Sequence, residues 1–160
     1  MLRLTPAFML SHPAHFIALG FGTGLAPLGP GTVGTLLAIP LYVVLRGRFT
    51  ALEILALCVA LFIVGIWACG RTGRDLGVSD HGGMNWDEIV AFLVVLTFIP
   101  ETWAWQLAAF VLFRLFDIVK PPPIRRIDTH VKGGFGVMLD DVFAAFYALL
   151  VLAMAKAALQ

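Results

Sequence analysis

The chain has 160 residues, of which 60% are hydrophobic and 13% are charged, and its formal net charge is +1. Soluble proteins average about 45–50% apolar residues even with glycine counted, so this composition, with a mean hydropathy of +0.93, predicts one integral membrane domain over residues 1–160. The near-neutral charge, without a basic run interleaved with aromatic residues, sets nucleic acid aside as a partner.

The amino-terminal region is apolar but interrupted. Pro6, His12 and Pro13 break any continuous apolar core, so no cleavable signal peptide is indicated. Residues 16–28 are apolar yet broken by glycines. We expect them to form an interfacial or re-entrant approach to a first, short helix at residues 33–45.

Four further apolar segments follow. Residues 52–69 and 142–159 each approach the roughly 20 residues that a helix needs to cross the hydrocarbon core. Residues 89–99 and 103–119 flank Pro100-Glu101-Thr102, which we expect at a hairpin tip because a proline and a glutamate at the bilayer midplane are costly. The predicted fold is therefore an all-α bundle of about five short transmembrane helices, or four if the first does not cross fully.

Loop charges predict the orientation of this bundle. In the five-helix arrangement, seven loop lysines and arginines lie on one side and three on the other, which favours a cytoplasmic location for the richer side. The richer side carries Arg3, Arg71, Arg74, Lys120, Arg125, Arg126 and Lys132, and the poorer side carries Arg46, Arg48 and Lys156.

Eight of the ten acidic residues lie in or beside short polar segments on that predicted cytoplasmic side. They are Asp75, Asp80, Asp87, Glu88, Asp117, Asp128, Asp140 and Asp141. Ionisable groups near a bilayer are costly and are usually functional. Clustered carboxylates need cations between them, so we expect a divalent metal.

The first acidic pair stands where a helix begins. Asn85 followed three residues later by Glu88 fits a helix cap, and acids suit the positive end of a helix. Capping alone needs one acid, whereas Asp87 and Glu88 are both present. This favours a functional role for the pair.

A second polar segment closes a later helix. Arg114, Asp117 and Lys120 are spaced by three and are predicted to share a helix face. They form either a self-satisfied ladder of ion pairs or a site in which the two cations grip a phosphate while the acid holds metal. The second interpretation is favoured because the other carboxylates are predicted on the same side.

The last acidic pair, Asp140 and Asp141, precedes the final apolar segment. Either residue suits the N-cap of that helix. Adjacent acids repel each other, however, and metal binding removes that conflict better than capping does.

A glycine-rich turn at residues 22–35 offers backbone amides and the hydroxyls of Thr23 and Thr32 to an anion, with Gly31 between proline and threonine. Close helix packing through small residues explains the same composition equally well. A dinucleotide site is poorly supported, because no strand precedes the glycines.

The histidines carry weaker signals. His81 is a candidate substrate-binding residue with a proton-transfer role, since it lies near the first acidic pair. No cysteine or histidine pair has the spacing of zinc ligands. The candidate metal ligands are therefore all oxygen atoms, and such a set indicates Mg²⁺.

Taken together, these motifs resemble the bacterial phosphatidylglycerophosphatase A family, over about residues 15–151. Two departures lie inside predicted helices: Ala91 stands where a glycine is common, and Ala145 where Ala-Gly often follows the acidic pair. The matching landmarks are Pro30-Gly31-Thr32, Trp86-Asp87-Glu88, Phe113-Arg114 with Asp117 and Lys120-Pro121, and Gly133-Gly134 with Gly136, Met138 and Asp140-Asp141.

The resemblance implies an Mg²⁺-dependent lipid phosphatase of the bacterial inner membrane that converts phosphatidylglycerophosphate to phosphatidylglycerol and phosphate. Combined with the five-helix arrangement and its loop charges, this predicts a multi-pass protein whose active face is cytoplasmic and whose phospholipid substrate comes from the bilayer. The implied metal ligands are Asp87, Glu88, Asp117, Asp140 and Asp141, with Arg114 and Lys120 as catalytic and substrate-binding cations.

Two other functions fit the composition. A small transporter or channel would also be apolar, but transporters place charged groups near the midplane on broken helices. Here the acids are predicted at helix ends, which suits an enzyme acting on lipid headgroups. Another lipid phosphomonoester, such as phosphatidate, is the alternative substrate.

Overall fold

A computed structural model describes residues 4–159, which form helices, turns and loops without any β-strand. A 3-10 helix, Gly20–Leu25, lies between α2 and α3. The α-helices are α1 Pro6–Leu10, α2 Pro13–Ala18, α3 Pro30–Arg46, α4 Ala51–Leu76, α5 Trp86–Phe98, α6 Trp103–Val119, α7 Ile124–His130 and α8 Gly133–Ala158.

The five predicted apolar segments all form helices, namely α3, α4, α5, α6 and α8. The turn between α5 and α6 falls at Pro100-Glu101-Thr102 as predicted, and Glu101 there forms an ion pair with Arg46 at the end of α3. The all-α prediction is therefore confirmed.

The two longest helices extend further than predicted. α4 starts at a capping box between Thr50 and Glu53 and continues through its polar last turns to Leu76, where Gly77, in the left-handed conformation, is the C-cap. α8 starts at Gly133 rather than at residue 142.

Close packing against α4 explains why Gly134 is accommodated in the first turn of α8. An added Cβ at Gly134 would collide with the Ile66 carbonyl oxygen and would crowd the Gly70 amide. Small residues thus let the two backbones approach, and this tertiary contact compensates for the poor helix propensity of glycine.

Residues 16–28, predicted as an interfacial or re-entrant segment, form part of α2 and the 3-10 helix. Phe21 and Gly22 have positive φ angles of 58° and 106°, which kink the chain before α3. The segment packs against α3. The backbone amide of Asn85, at the start of α5, donates a hydrogen bond to the Ala18 carbonyl.

Two helices in the described part of the chain, α4 and α8, are long and apolar enough to cross a membrane. Each has 26 residues, equivalent to about 39 Å of helix. α5 has 13 residues, equivalent to about 20 Å, which is short for a full crossing. Two helices thus have the length and composition of a full span, and the four or five spans stay a prediction.

The outer surface is apolar and the interior holds polar groups. Val43 on α3, Val59 on α4, Val111 on α6 and Phe146 on α8 are all more than half exposed. Exposed apolar surface on several helices is typical of proteins that contact lipid or other apolar partners.

α5 is the central helix. It contacts α3, α4, α6 and α8, and most of its residues are buried. Its first residue, Trp86, donates from Nε1 to the Leu61 carbonyl at 3.0 Å. Leu61 lies about 20 Å before the end of α4. The first turn of α5 therefore lies within the bundle rather than at its end.

Candidate active site

Three buried carboxylates meet inside the bundle. Asp87 and Glu88 lie in the first turn of α5, and Asp141 lies in the third turn of α8. One oxygen of each lies within 4.8 Å of one oxygen of the others, and none of the three residues is more than 9% exposed. The packing of α5 against α8 therefore brings together acids that are far apart in the sequence.

Arg114 connects this cluster to α6. Its Nη1 donates to Glu88 Oε1 at 2.9 Å and lies 2.7 Å from Asp117 Oδ2. The side chains of Arg114 and Asp117 are largely buried. Asp117, a predicted ligand, thus lies in the same charged network as Glu88 and shares its cation.

Lys120 does not continue the predicted ladder on α6. It is the C-cap residue of the helix, with a left-handed backbone at φ 46° and ψ 62°. Its Nζ donates to Asp128 Oδ1 at 3.1 Å and to Asp140. Lys120 thereby ties α6 to α7 and α8.

Lys120 remains a cation in this setting. Burial alone would lower its pKa, but the hydrogen bonds to Asp140 and Asp128 raise the pKa above the ordinary lysine value. A permanent ammonium at this position suits a phosphate ligand.

Several carboxylate oxygens of the cluster and of neighbouring Asp140 have no hydrogen-bond partner among residues 4–159 although they are fully buried. They are Asp87 Oδ1, Glu88 Oε2, Asp140 Oδ1 and Asp141 Oδ2. An unpaired buried carboxylate oxygen is costly, and adjacent carboxylates repel each other. A hard dication that prefers oxygen ligands satisfies both conditions, so the donor set fits Mg²⁺.

The capping interpretation holds for the position of Asn85 but not for its side-chain bonds, and it is wrong for Asp140 and Asp141. Asn85 is the N-cap residue of α5 but makes no side-chain capping bond; its Nδ2 donates to the Pro30 carbonyl at 2.7 Å and to Thr23 Oγ1 at 2.9 Å. Asp140 and Asp141 lie well inside α8, because that helix begins at Gly133. The acids of α8 are therefore not at its end.

The glycine-rich segment packs closely on α5. An added Cβ at Gly31 would collide with the Glu88 carboxylate, and one at Gly34 would crowd the Asn85 amide. Thr23 is engaged by Asn85, and Thr32 lies half-buried in the first turn of α3. Helix packing, one of the two interpretations of this segment, describes these contacts.

His81 lies in the loop between α4 and α5, where its Nδ1 accepts a hydrogen bond from the Gly83 amide at 3.1 Å. This hydrogen bond of His81 lies within its own loop and does not involve the clustered carboxylates. Two acids that the sequence did not assign to the site lie nearby. Asp80 and Asp128 line one polar cavity of about 220 Å³, and Asp128 accepts from Lys120.

One signal in the sequence indicated that Asp80 and Asp128 lie near the site, namely that both belong to the eight acids on the predicted cytoplasmic side. The sequence did not show that α7 would fold back towards Lys120, so Asp128 had no predicted partner. Asn85 was missed for a similar reason, since Pro30 and Thr23 are distant in the sequence.

Comparisons with known proteins agree on one family. A family model described as "Phosphatidylglycerophosphatase A" matches residues 16–156. Proteins of that name from Haemophilus influenzae and Escherichia coli are 46% and 43% identical to the chain, and the alignments cover 89% and 84% of it and 88% and 78% of the relatives.

A third relative carries a different name. A Bacteroides thetaiotaomicron protein named "Putative phosphatidylinositol-3-phosphatase" is 42% identical over 88% of the chain and 91% of its own length. No solved structure matches the chain.

Proposed function

The chain belongs to the phosphatidylglycerophosphatase A family, and on this premise we propose that it removes the terminal phosphate of phosphatidylglycerophosphate in an Mg²⁺-dependent reaction at a membrane. Family membership and the two relatives of that name make it an enzyme, a phosphatidylglycerophosphatase. The metal, the residue roles and the bilayer setting are our proposals.

One observation carries the metal proposal. Asp87, Glu88 and Asp141 converge while each keeps a buried oxygen without a partner in the described chain. We assign these three carboxylates as Mg²⁺ ligands, with Asp117 and Asp140 completing the acidic environment. When bound, Mg²⁺ supplies Lewis-acid neutralisation of phosphate charge.

Arg114 and Lys120 bind and orient the phosphate in this proposal. Arg114 is held by Glu88 and Asp117 through Nη1, whereas its buried Nε has no partner among the described residues. A guanidinium fixed in this way is preorganised for phosphate oxygens. Lys120, held by Asp140 and Asp128, supplies a second cation at the exit of α6.

The reaction is a hydrolysis. Water attacks phosphorus, the bond between phosphorus and the glycerol oxygen breaks, and the products are phosphatidylglycerol and inorganic phosphate. We favour water over a carboxylate as nucleophile because the Asp-x-Asp signature of aspartyl-phosphate phosphatases is absent from the sequence. The buried carboxylates hold and orient the reacting groups and exclude bulk solvent.

The apolar exterior and the two long helices, α4 and α8, support residence in the bacterial inner membrane. We propose a multi-pass arrangement in which α3, α4 and α8 pack around α5, α6 packs against α8, and the site faces the cytoplasm. Arg71, Arg74 and Lys132 lie in the polar segments beside the site, which agrees with that face.

Asp140 and Asp141 lie inside α8 rather than at a helix end, so the positions of these acids do not distinguish an enzyme from a transporter. The enzyme assignment depends instead on the family. The Bacteroides relative favours one further test substrate, a phosphatidylinositol 3-phosphate, because its name specifies that lipid.

The deciding experiment uses purified protein in detergent with phosphatidylglycerophosphate, phosphatidate and phosphatidylinositol 3-phosphate, each with Mg²⁺ and with EDTA. We expect fastest phosphate release from phosphatidylglycerophosphate and none with EDTA. Faster release from either other lipid would overturn the substrate assignment, and undiminished release in EDTA would overturn the metal.

A further inference from the structure

An apolar groove of about 360 Å³ runs between α4, α5 and α8. α4 lines it with Leu55, Val59 and Phe62, which recur at helical spacing along one face. One wall of the groove is therefore a continuous apolar face of α4.

The other walls lead to the acidic cluster. α5 contributes Asp87, Ala91 and Val94, again at helical spacing, and α8 contributes Met138 and Val142. Among the lining residues in the described chain, Asp87 is the one charged side chain. Asp87 also belongs to the cluster of three carboxylates, so the groove and the cluster meet at this residue.

We infer that this groove holds one hydrocarbon chain of the lipid substrate while the phosphate is bound at the carboxylates. The inference rests on the proposed function, because phosphate and acyl chain are parts of one molecule and must bind close together. Burying methylene groups in an apolar groove is favourable by the hydrophobic effect. Val59 would then be a residue that determines specificity for the lipid anchor.

The groove opens sideways, as this arrangement requires. Val59 stands on its rim and is 62% exposed on the apolar outer surface of α4. A chain can therefore enter laterally from lipid, while the glycerol and phosphodiester of the headgroup stay outside the groove. A second apolar cavity of about 460 Å³, near Trp105 and Lys156, contains none of the clustered acids and lacks this connection.

A matched pair of variants tests the inference. Val59→Trp places an indole over the groove, whereas Ile63→Trp places one on the same helix outside the lining residues. Both positions are 62% exposed, so neither substitution disturbs the buried core. The assay compares phosphate release from dioleoyl phosphatidylglycerophosphate and from its dibutanoyl counterpart.

We expect Val59→Trp to lower kcat/KM for the dioleoyl substrate about tenfold, since each methylene kept out of an apolar site costs about fourfold in affinity. Activity on the dibutanoyl substrate should stay within about twofold of wild type, and Ile63→Trp should change neither. An unchanged ratio between the two substrates, or equal losses on both, would overturn the groove assignment.

A crosslinking measurement tests lipid binding in the groove independently of the proposed reaction. Phosphatidylglycerol with a photoreactive diazirine on its acyl chain should crosslink to the groove faces of α4 and α5, less in Val59→Trp than in Ile63→Trp. Equal crosslinking in both variants would contradict the inference. Failure of the wild-type protein to release phosphate from either substrate would instead contradict the proposed function.

Discussion

Gly31 lies directly against the Glu88 carboxylate, with no room for a Cβ between α3 and α5. The same carboxylate accepts from Arg114 at 2.9 Å. Glu88 is thus confined on one side by a glycine and held on another by a guanidinium. This contact links the glycine-rich segment to the acidic cluster.

Replacing this glycine should disturb the site more than the fold. Gly31→Ala should lower kcat about a hundredfold, because its Cβ displaces the Glu88 carboxylate, and a misplacement of about 1 Å can cost that much. Gly82→Ala is the control, since nothing lies within 4 Å of a Cβ there. Phosphate release by the purified variants measures the effect, and equal activities would contradict the proposed role of Glu88.

Asn85 should be important for stability. Asn85→Ala removes the donor to the Pro30 carbonyl and the bonds with Thr23 in a fully buried position. Leaving a buried polar group unpaired costs about 1–3 kcal/mol, so the free energy of unfolding in detergent should fall by about that amount. Ser79→Ala, in the loop before α5, is a control expected to have little effect. A stability equal to wild type would show that Asn85 does not hold the two segments together.

Lys120 has both a charged amine and a left-handed backbone conformation. Two substitutions separate the effects of these two features. Lys120→Ala loses the amine but keeps a Cβ at φ 46°, as lysine does, whereas Lys120→Gly loses the amine and relieves that strain. If the ammonium binds phosphate, both variants should lose about tenfold or more in kcat/KM. Lys132→Ala, which removes an exposed bond to the Asp128 carbonyl, should retain activity. Normal activity in Lys120→Gly would rule out a role for the amine.

Mg²⁺ should stabilise the folded protein. A ligand that binds the native state contributes about 2.7 kcal/mol at a concentration 100 times its Kd, so the thermal unfolding midpoint in detergent should rise with added Mg²⁺. In Asp141→Asn the repulsion between carboxylates is smaller, so the metal-free midpoint should stay equal or increase, and the response to Mg²⁺ should weaken. A wild-type midpoint that ignores Mg²⁺ would contradict metal binding by the cluster.

The sequence predicted features that depend on continuous patterns. Apolar runs identified all five principal helices, and the polar turn at Pro100 separated α5 from α6. The grouping of acids on one predicted side also anticipated that Asp87, Glu88 and Asp141 would meet. Each of these predictions depends on local composition or on the alternation of helices across a bilayer.

Features that depend on distant partners were not predictable. The last helix was predicted to begin at residue 142, but it begins at Gly133, and Gly134 packs closely against α4. Asn85 has the local signature of a cap, yet its partners lie in the glycine-rich segment. Lys120 does not lie on the expected helix face, because the chain turns at the end of α6 and places Asp128 within hydrogen-bonding distance of its amine. Tertiary contacts decided all three cases.

Phosphate release by Asp141→Asn tests the central claim most directly. The substitution keeps the size of the side chain but removes a buried charge from the three-carboxylate cluster, so with phosphatidylglycerophosphate and saturating Mg²⁺ we expect a loss of about a thousandfold. Glu101→Gln, in the distant turn that pairs with Arg46, should retain wild-type activity. Wild-type turnover in Asp141→Asn would mean that acids from α5 and α8 do not act together on a metal, and the account of this site would be wrong.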